Sequence, residues 1–189
     1  DDPSALVVVP GSGIEDAVEG GIEAAVAAAR AADVVLLALG EPHDFSGEAQ
    51  SRTQIVIPAA QQALAEAVAA IGTPVVVVLR NGRALALEGA VRDAQALLVT
   101  WFLGTQTGPA VADVVFGDYS PSARLPVSFP QDAGQQPYFY NHPATGRPNV
   151  PGTPRFFQTR WREVSHAALY PFGHGLSYTR FDYGVPQLD

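Results

Sequence analysis

The chain has 189 residues, 47% of them hydrophobic, a length and composition that suggest one globular domain and exclude a disordered chain. Its formal net charge is −8, from 19 acidic and 11 basic residues, which argues against nucleic-acid binding, and no apolar run approaches the roughly 18 residues a membrane span needs. Cys is absent, which excludes disulfides and thiolate metal sites, and Met is absent even at position 1, which suggests a processed chain, a domain or a fragment.

Residues 5–9 are rich in Val and predict a short strand, stopped by Pro10-Gly11-Ser12-Gly13. That Gly-rich turn lacks both the Gly-Lys-Ser/Thr ending and the GxGxxG spacing of phosphate loops, so phosphate binding is not expected. Apolar residues at steps of three and four, from Ile14 through Val18, Ile22 and Val26 to Ala29, predict a helix over 14–31. Gly20-Gly21 weakens it midway. Residues 33–39 predict the next strand, apolar on both faces after Asp33, the mark of a strand covered by helices on both sides.

The next stretch, Gly40 to Arg52, is the most polar loop in the first half of the chain. It holds Glu41, His43, Asp44, Glu48 and Arg52, with Gly40 and Gly47 to let the backbone turn. In open α/β sheets, ligands bind outside the carboxyl ends of strands. A loop at that place with two Glu, an Asp, a His and an Arg has the groups for proton chemistry; the plain alternative is a solvated connection.

A helix over 55–71 follows, with Pro58 suited to its first turn and Gly72 to its end. Residues 74–79 predict a third strand, Arg80-Asn81-Gly82-Arg83 a turn at its carboxyl end, and 85–92 a further helix. Residues 96–102 predict a fourth strand, 109–116 a helix, and 125–129 a fifth strand stopped by Pro130. Strand and helix thus alternate about five times, the signature of a three-layer α/β/α sandwich on a mostly parallel sheet of five to six strands. From 131 to 168 periodicity is lost and Pro, Gly, Asn, Gln and aromatics dominate, as in a functional or partner-packing segment. His142, His166 and His174 are scattered without metal-ligand spacing, so neither metal nor cofactor is expected.

These elements carry a pattern that resembles the C-terminal α/β sandwich domain of glycoside hydrolase family 3, especially its bacterial β-glucosidases. The matching stretches are Gly40-Glu41, Ser46-Gly47-Glu48 with Ser51-Arg52, Ile57-Pro58 with Gln61-Gln62-Ala63-Leu64, and Asn81-Gly82-Arg83. Thr100-Trp101-Phe102, Phe116-Gly117-Asp118-Tyr119, Leu125 to Pro130, Thr145-Gly146-Arg147-Pro148 and Tyr170 to Tyr178 continue it in collinear order. The resemblance implies a sandwich domain over 1–178 and an exit linker over 179–189 towards a fibronectin-like domain. It also implies an N-terminal barrel domain, for which this sequence has no counterpart, as the source of the nucleophilic Asp.

The implied reaction is retaining hydrolysis of terminal β-D-glucosyl residues, which needs two carboxyl groups about 5–5.5 Å apart, one as nucleophile and one as acid/base. The family places its acid/base Glu on a loop matching Gly40 to Arg52, which offers Glu48 and Glu41. Ser46-Gly47-Glu48-Ala49-Gln50-Ser51-Arg52 is similar to the family's Gly-Glu-Gly-x-Asp-Arg form, so Glu48 is the first candidate and Glu41 the second. The other uses are an ion pair with Arg52 for Glu48, and orientation of the loop through backbone N–H groups for Glu41. His43, Phe45, Arg52 and Trp101 are candidate substrate contacts. Loop holding by Arg52, core packing by Trp101 and plain solvation of His43 are their structural alternatives. Tyr138 to Tyr140 are candidates for the acceptor subsite, and Arg147 and Arg155 for pinning the long segment. A β-glucoside or oligosaccharide is the expected partner besides the barrel, and the expected location is periplasmic or extracellular. The rival readings are a non-catalytic structural or carbohydrate-binding module and a flavodoxin-like nucleotide binder, which fits the fold pattern alone.

Overall fold

The computed structural model describes residues 5–143, 145–150, 152 and 156–187. Three parallel strands, β1 (Val35–Gly40), β2 (Val75–Arg80) and β3 (Ala96–Val99), lie in the order β1-β2-β3. Val35 pairs with Val75 and Val76 with Ala96. Four helices flank them: α1 (Gly21–Ala31), α2 (Ala59–Ala69), α3 (Gly89–Arg92) and α4 (Thr107–Val115). Helical crossovers between parallel neighbours make this an α/β sandwich, as the alternating pattern predicts.

The core is the face of the sheet that α2 covers. Leu37, Leu39, Val77 and Leu79 point into it and meet Leu64, Ala65 and Val68 of α2, Val91 of α3 and Ala29 of α1. Phe129 caps the cluster with no exposed surface. Along β2 burial alternates with period two, as strand geometry requires. The opposite face is less covered, and Leu36 on β1 is 42% exposed.

Three strands are found among the described residues, not five to six, and the two missing ones have physical reasons. Residues 5–9 join no ladder, and Leu6, Val7 and Val8 are 68%, 71% and 82% exposed. β-branched composition favours a strand only where a neighbour supplies the hydrogen bonds and the packing. Residues 125–129 do pair antiparallel with 169–174. Leu125 N–H donates to His174 O at 2.8 Å, and Phe129 N–H to Tyr170 O at 2.8 Å. Pro126 and Pro171 have no N–H to give, so the pairing shrinks to one isolated bridge between Phe129 and Tyr170.

Helix boundaries also move, for local reasons. α1 begins at Gly21 and not at Ile14 because Gly20 takes a left-handed conformation, φ 68°, that ends any helix before it. α2 begins at Ala59 because the residue before a proline is driven out of the α region, and Ile57 precedes Pro58. Ile55 and Ile57 instead join the core, with Ile55 O accepting from Ala86 N–H at 2.8 Å. The segment 84–87 is buried beside them outside any helix, and α3 is four residues long. β3 stops at Val99, before Trp101 at φ 53°.

Gly11, in the turn that is too irregular for a phosphate loop, serves packing. A Cβ there would lie 2.6 Å from Leu64 Cδ1. No helix among the described residues is long and apolar enough to cross a membrane.

Candidate functional site

The carboxyl ends of β1 and β2 open side by side, and the loop that leaves β1 folds back over the turn that leaves β2. Gly40, the last residue of β1, has φ 137°, and a Cβ on it would come within 1.7 Å of Arg80 O, so the two strand ends touch backbone to backbone. Gln61 of α2 fixes the junction. Its Oε1 accepts from Gly40 N–H at 2.7 Å, and its Nε2 donates to Gly40 O at 3.0 Å and Ile14 O at 2.9 Å.

Glu41 follows at once, 2% exposed. Its backbone N–H donates to Arg80 O at 2.8 Å. Its Oε1 accepts from Arg52 Nη1 at 2.7 Å and lies 3.3 Å from Arg83 Nε, and its Oε2 accepts from Gly82 N–H at 3.3 Å. A buried carboxylate with this set of partners is engaged on both oxygens, and the ion pair with Arg52 closes the loop at its base.

Beyond Glu41 the chain makes a single 3-10 turn, His43–Phe45, and Ser46 then packs directly above Gly82. A Cβ on Gly82 would lie 2.1 Å from Ser46 Oγ and 2.7 Å from Phe102 Cε2, so this approach needs glycine for lack of space. Arg83 reaches up from the same turn. Its Nη2 donates to Phe45 O, to Gln50 O at 3.1 Å and to Ser46 Oγ at 3.4 Å. The Arg52 guanidinium lies over the Phe45 ring, 4.5 Å from its centroid, a cation–π contact that joins the two sides of the loop.

Glu48 sits at the tip, exposed, in a turn closed by Gln50 N–H to Gly47 O at 3.3 Å. Gly47 has φ 129° and Ala49 φ 60°. Among the described residues Glu48 makes no hydrogen bond and no ion pair, so the partner expected for it, Arg52, is bound to Glu41. His43 is exposed near the base of the loop. Trp101 is half-buried and packs against Phe129, ring centroids 6.0 Å apart, beside the core.

The aromatic segment is built separately. Tyr138 donates its hydroxyl to His166 O at 2.8 Å, and Tyr140 stacks on Phe172 with centroids 4.3 Å apart. Arg147 lies over the Phe157 ring, 5.3 Å from its centroid, while Arg155 falls outside the described residues.

Sequence reasoning brought Glu41, Phe45, Glu48 and Arg52 together correctly as one loop. It assigned no role to Gln61, Gly82 or Arg83, although all three stand in stretches quoted for the resemblance. The signal was available: adjacent parallel strands bring their following turns together, so Asn81-Gly82-Arg83 had to lie beside the loop after β1.

A family model for the glycosyl hydrolase family 3 C-terminal domain matches residues 3–178. A periplasmic beta-glucosidase of Salmonella typhimurium is 51% identical over 160 residues, 85% of this chain and 21% of its own. A beta-xylosidase of Formosa agariphila is 40% identical over 89% of this chain and 22% of its own. The crystal structure of beta-glucosidase from Listeria innocua in complex with isofagomine superposes with a TM-score of 0.85 at 40% identity, covering 89% of this chain and 24% of that one. The chain therefore spans about a fifth of the length of the curated relatives it matches.

Proposed function

Because this chain belongs to the glycosyl hydrolase family 3 C-terminal domains, we propose that it works as one domain of a retaining β-glucosidase and that Glu48 is the enzyme's general acid/base. The observation that carries the assignment is the contrast between the two Glu of one loop. Both oxygens of Glu41 are taken by Arg52, Arg83 and Gly82 beneath the surface, whereas Glu48 is held out at the tip with no partner among the described residues.

In the reaction, an Asp on the barrel domain of the longer polypeptide attacks the anomeric carbon. Glu48 protonates the departing glycosidic oxygen, which leaves as the free alcohol, and then takes a proton from the water that breaks the glycosyl-enzyme ester. A loop tip anchored at its base suits this division of labour, since the carboxyl must cross a domain gap and still arrive within hydrogen-bond reach. Phe45, Arg52, His43 and Trp101 are the nearest candidates for sugar contact from this side. Phe45 and Arg52 are already bound to each other, and Trp101 to Phe129, so His43 is the freest of the four. The name of the Salmonella relative supports a periplasmic location, and we propose the segment from 179 onward as an exit linker towards a fibronectin-like domain.

The test is hydrolysis of an aryl β-glucoside by the full-length enzyme and its Glu48→Ala variant, with and without azide. We expect the variant to lose about 10²–10⁴-fold in rate on a poor leaving group, and on an activated aryl glucoside, whose departure needs little protonation, to gain turnover in azide as the glycosyl azide forms from the glycosyl-enzyme ester. Near-normal activity without azide would overturn the assignment. A full-length protein that cleaves no glycoside would favour a non-catalytic sugar-binding or structural domain.

A further inference from the structure

Arg83 stands outside the loop that carries Glu48, yet it touches that loop on both sides of its tip. Nη2 binds Phe45 O and Ser46 Oγ on the ascending side and Gln50 O on the descending side, with Gly47, Glu48 and Ala49 between the two sides. Nε, on the same planar group, lies 3.3 Å from the buried Glu41 carboxylate at the loop's base. Arg83 thus ties the tip to the base through one rigid fork.

We propose that Arg83 is a positioning residue for the acid/base. It sets where the Glu48 carboxyl stands relative to the scissile bond, without itself touching sugar. The inference rests on the assignment of Glu48 above. Three observations carry it. The tip turn has one closing hydrogen bond of its own, Gln50 N–H to Gly47 O, and that bond is long at 3.3 Å. Arg83 is the side chain from outside the loop that donates to the backbone carbonyls flanking that turn. And its turn is placed by the sheet, because Gly82 is pressed beneath Ser46 and against Phe102, and Asn81 Nδ2 donates to Arg83 O at 2.7 Å. Position therefore passes from β2 through Arg83 to Glu48.

Lysine in place of Arg83 keeps a positive charge, but its ammonium is a single point that can stand at the tip carbonyls or beside the Glu41 carboxylate and not at both, so the tie between tip and base is lost. Misplacement of a reacting group by about 1 Å can lower a rate about 10²-fold. The experiment uses the full-length enzyme with Arg83→Lys, Glu48→Ala and the double variant. The substrates are a 2,4-dinitrophenyl β-glucoside, which needs little protonation to leave, and an alkyl β-glucoside, which needs much.

We expect Arg83→Lys to lower kcat on the alkyl glucoside about 10–100-fold with KM little changed, and to lower the rate of the dinitrophenyl cleavage step less than about threefold. In the Glu48→Ala background the Arg83→Lys loss should disappear, because a residue that acts through another is silent once the other is gone. Equal losses in both backgrounds, equal losses on both substrates, or wild-type rates for Arg83→Lys would each overturn the positioning role while leaving Glu48 as the acid/base. Full activity of Glu48→Ala by itself would overturn the assignment of Glu48, and this inference with it. Unchanged thermal unfolding of Arg83→Lys is the check that the loss is in placement and not in folding.

Discussion

Arg52 donates to Glu41 at 2.7 Å across the neck of the loop that carries Glu48, and the Glu41 side chain it meets has no exposed surface. The two partners stand 11 positions apart in the chain, so this one ion pair fixes the loop's two ends against each other. The geometry gives both residues an anchoring part.

The first prediction separates the two Glu by stability. Glu41→Gln removes the charge that faces Arg52 and Arg83 in a site with little water, and breaking a buried pair by deleting one partner is destabilising by about 3–5 kcal/mol. Arg52 and Arg83 are each about a fifth to a quarter exposed, 24% and 22%, so water compensates in part. We expect a loss of about 2 kcal/mol. Glu48→Gln, at an exposed tip with no partner among the described residues, should shift stability by less than about 0.5 kcal/mol. Urea unfolding of the two variants of the full-length protein decides it, and equal midpoints would show that Glu41 is not the anchor.

A second prediction concerns Ala49. Its φ of 60° places an L-residue with a side chain in the left-handed region, at the turn position where glycine is usual. Alanine there costs about 1–2 kcal/mol in the folded state. Glycine gives back part of that through the freedom it adds to the unfolded chain, about 0.4–1 kcal/mol. Ala49→Gly should therefore raise stability by about 0.5–1 kcal/mol, read as a higher unfolding midpoint with an unchanged denaturant slope. A lower midpoint would mean that Ala49 has packing that outweighs its backbone.

The third prediction is at the strand junction. Gly40→Ala would put a methyl carbon 1.7 Å from Arg80 O, far inside contact distance, in the backbone pair that ends the sheet. Neither flexible side chain nor solvent stands in the way to yield; the obstacle is main chain. We expect a loss above about 3 kcal/mol, with little soluble protein on expression. Gly47→Ala is the control: φ 129° strains it as well, but nothing lies within 4 Å of its Cβ, so the protein should stay folded. Normal expression and stability of Gly40→Ala would contradict the close approach of β1 and β2 ends.

What was legible in the sequence follows from how local the determining physics is. The three strands of the sheet, their parallel sense and the loop after β1 were readable because continuous Val and Leu runs mark strands buried between helices. The start of α1 was missed because helical periodicity continues through Ile14 and Val18 although Gly20 breaks the backbone. The strands over 5–9 and 125–129 were misread because propensity does not say whether a partner strand is present, nor what Pro126 and Pro171 remove from one. In the site, the residues of one loop were legible together. Arg83 was passed over because its contacts to Phe45 and Gln50 span 38 and 33 residues; no periodicity reports such pairs, and only the parallel pairing of β1 and β2 brings the two turns together.

The last prediction turns on pH. Burial, with the nearby Asp93 carboxylate adding to it, pushes the Tyr170 phenol above its usual range near 10. Tyr170 is the residue through which the 169–174 segment bridges Phe129, and its ring packs edge-on against Phe129 and flat on His174. A group whose folded pKa is raised gives stability that is complete below the unfolded pKa and is lost as pH climbs through the folded one. The native state should therefore weaken as pH climbs above the usual phenol range near 10 and the phenol is forced to ionise against its surroundings. Tyr170→Phe keeps the ring and removes the proton, so its thermal midpoint should fall less steeply than the wild type's from pH 9 to 11. Parallel curves for the two proteins would show that the alkaline loss arises at another group. A steeper fall in the Phe variant would mean that the ionised phenol is stabilised in the native state.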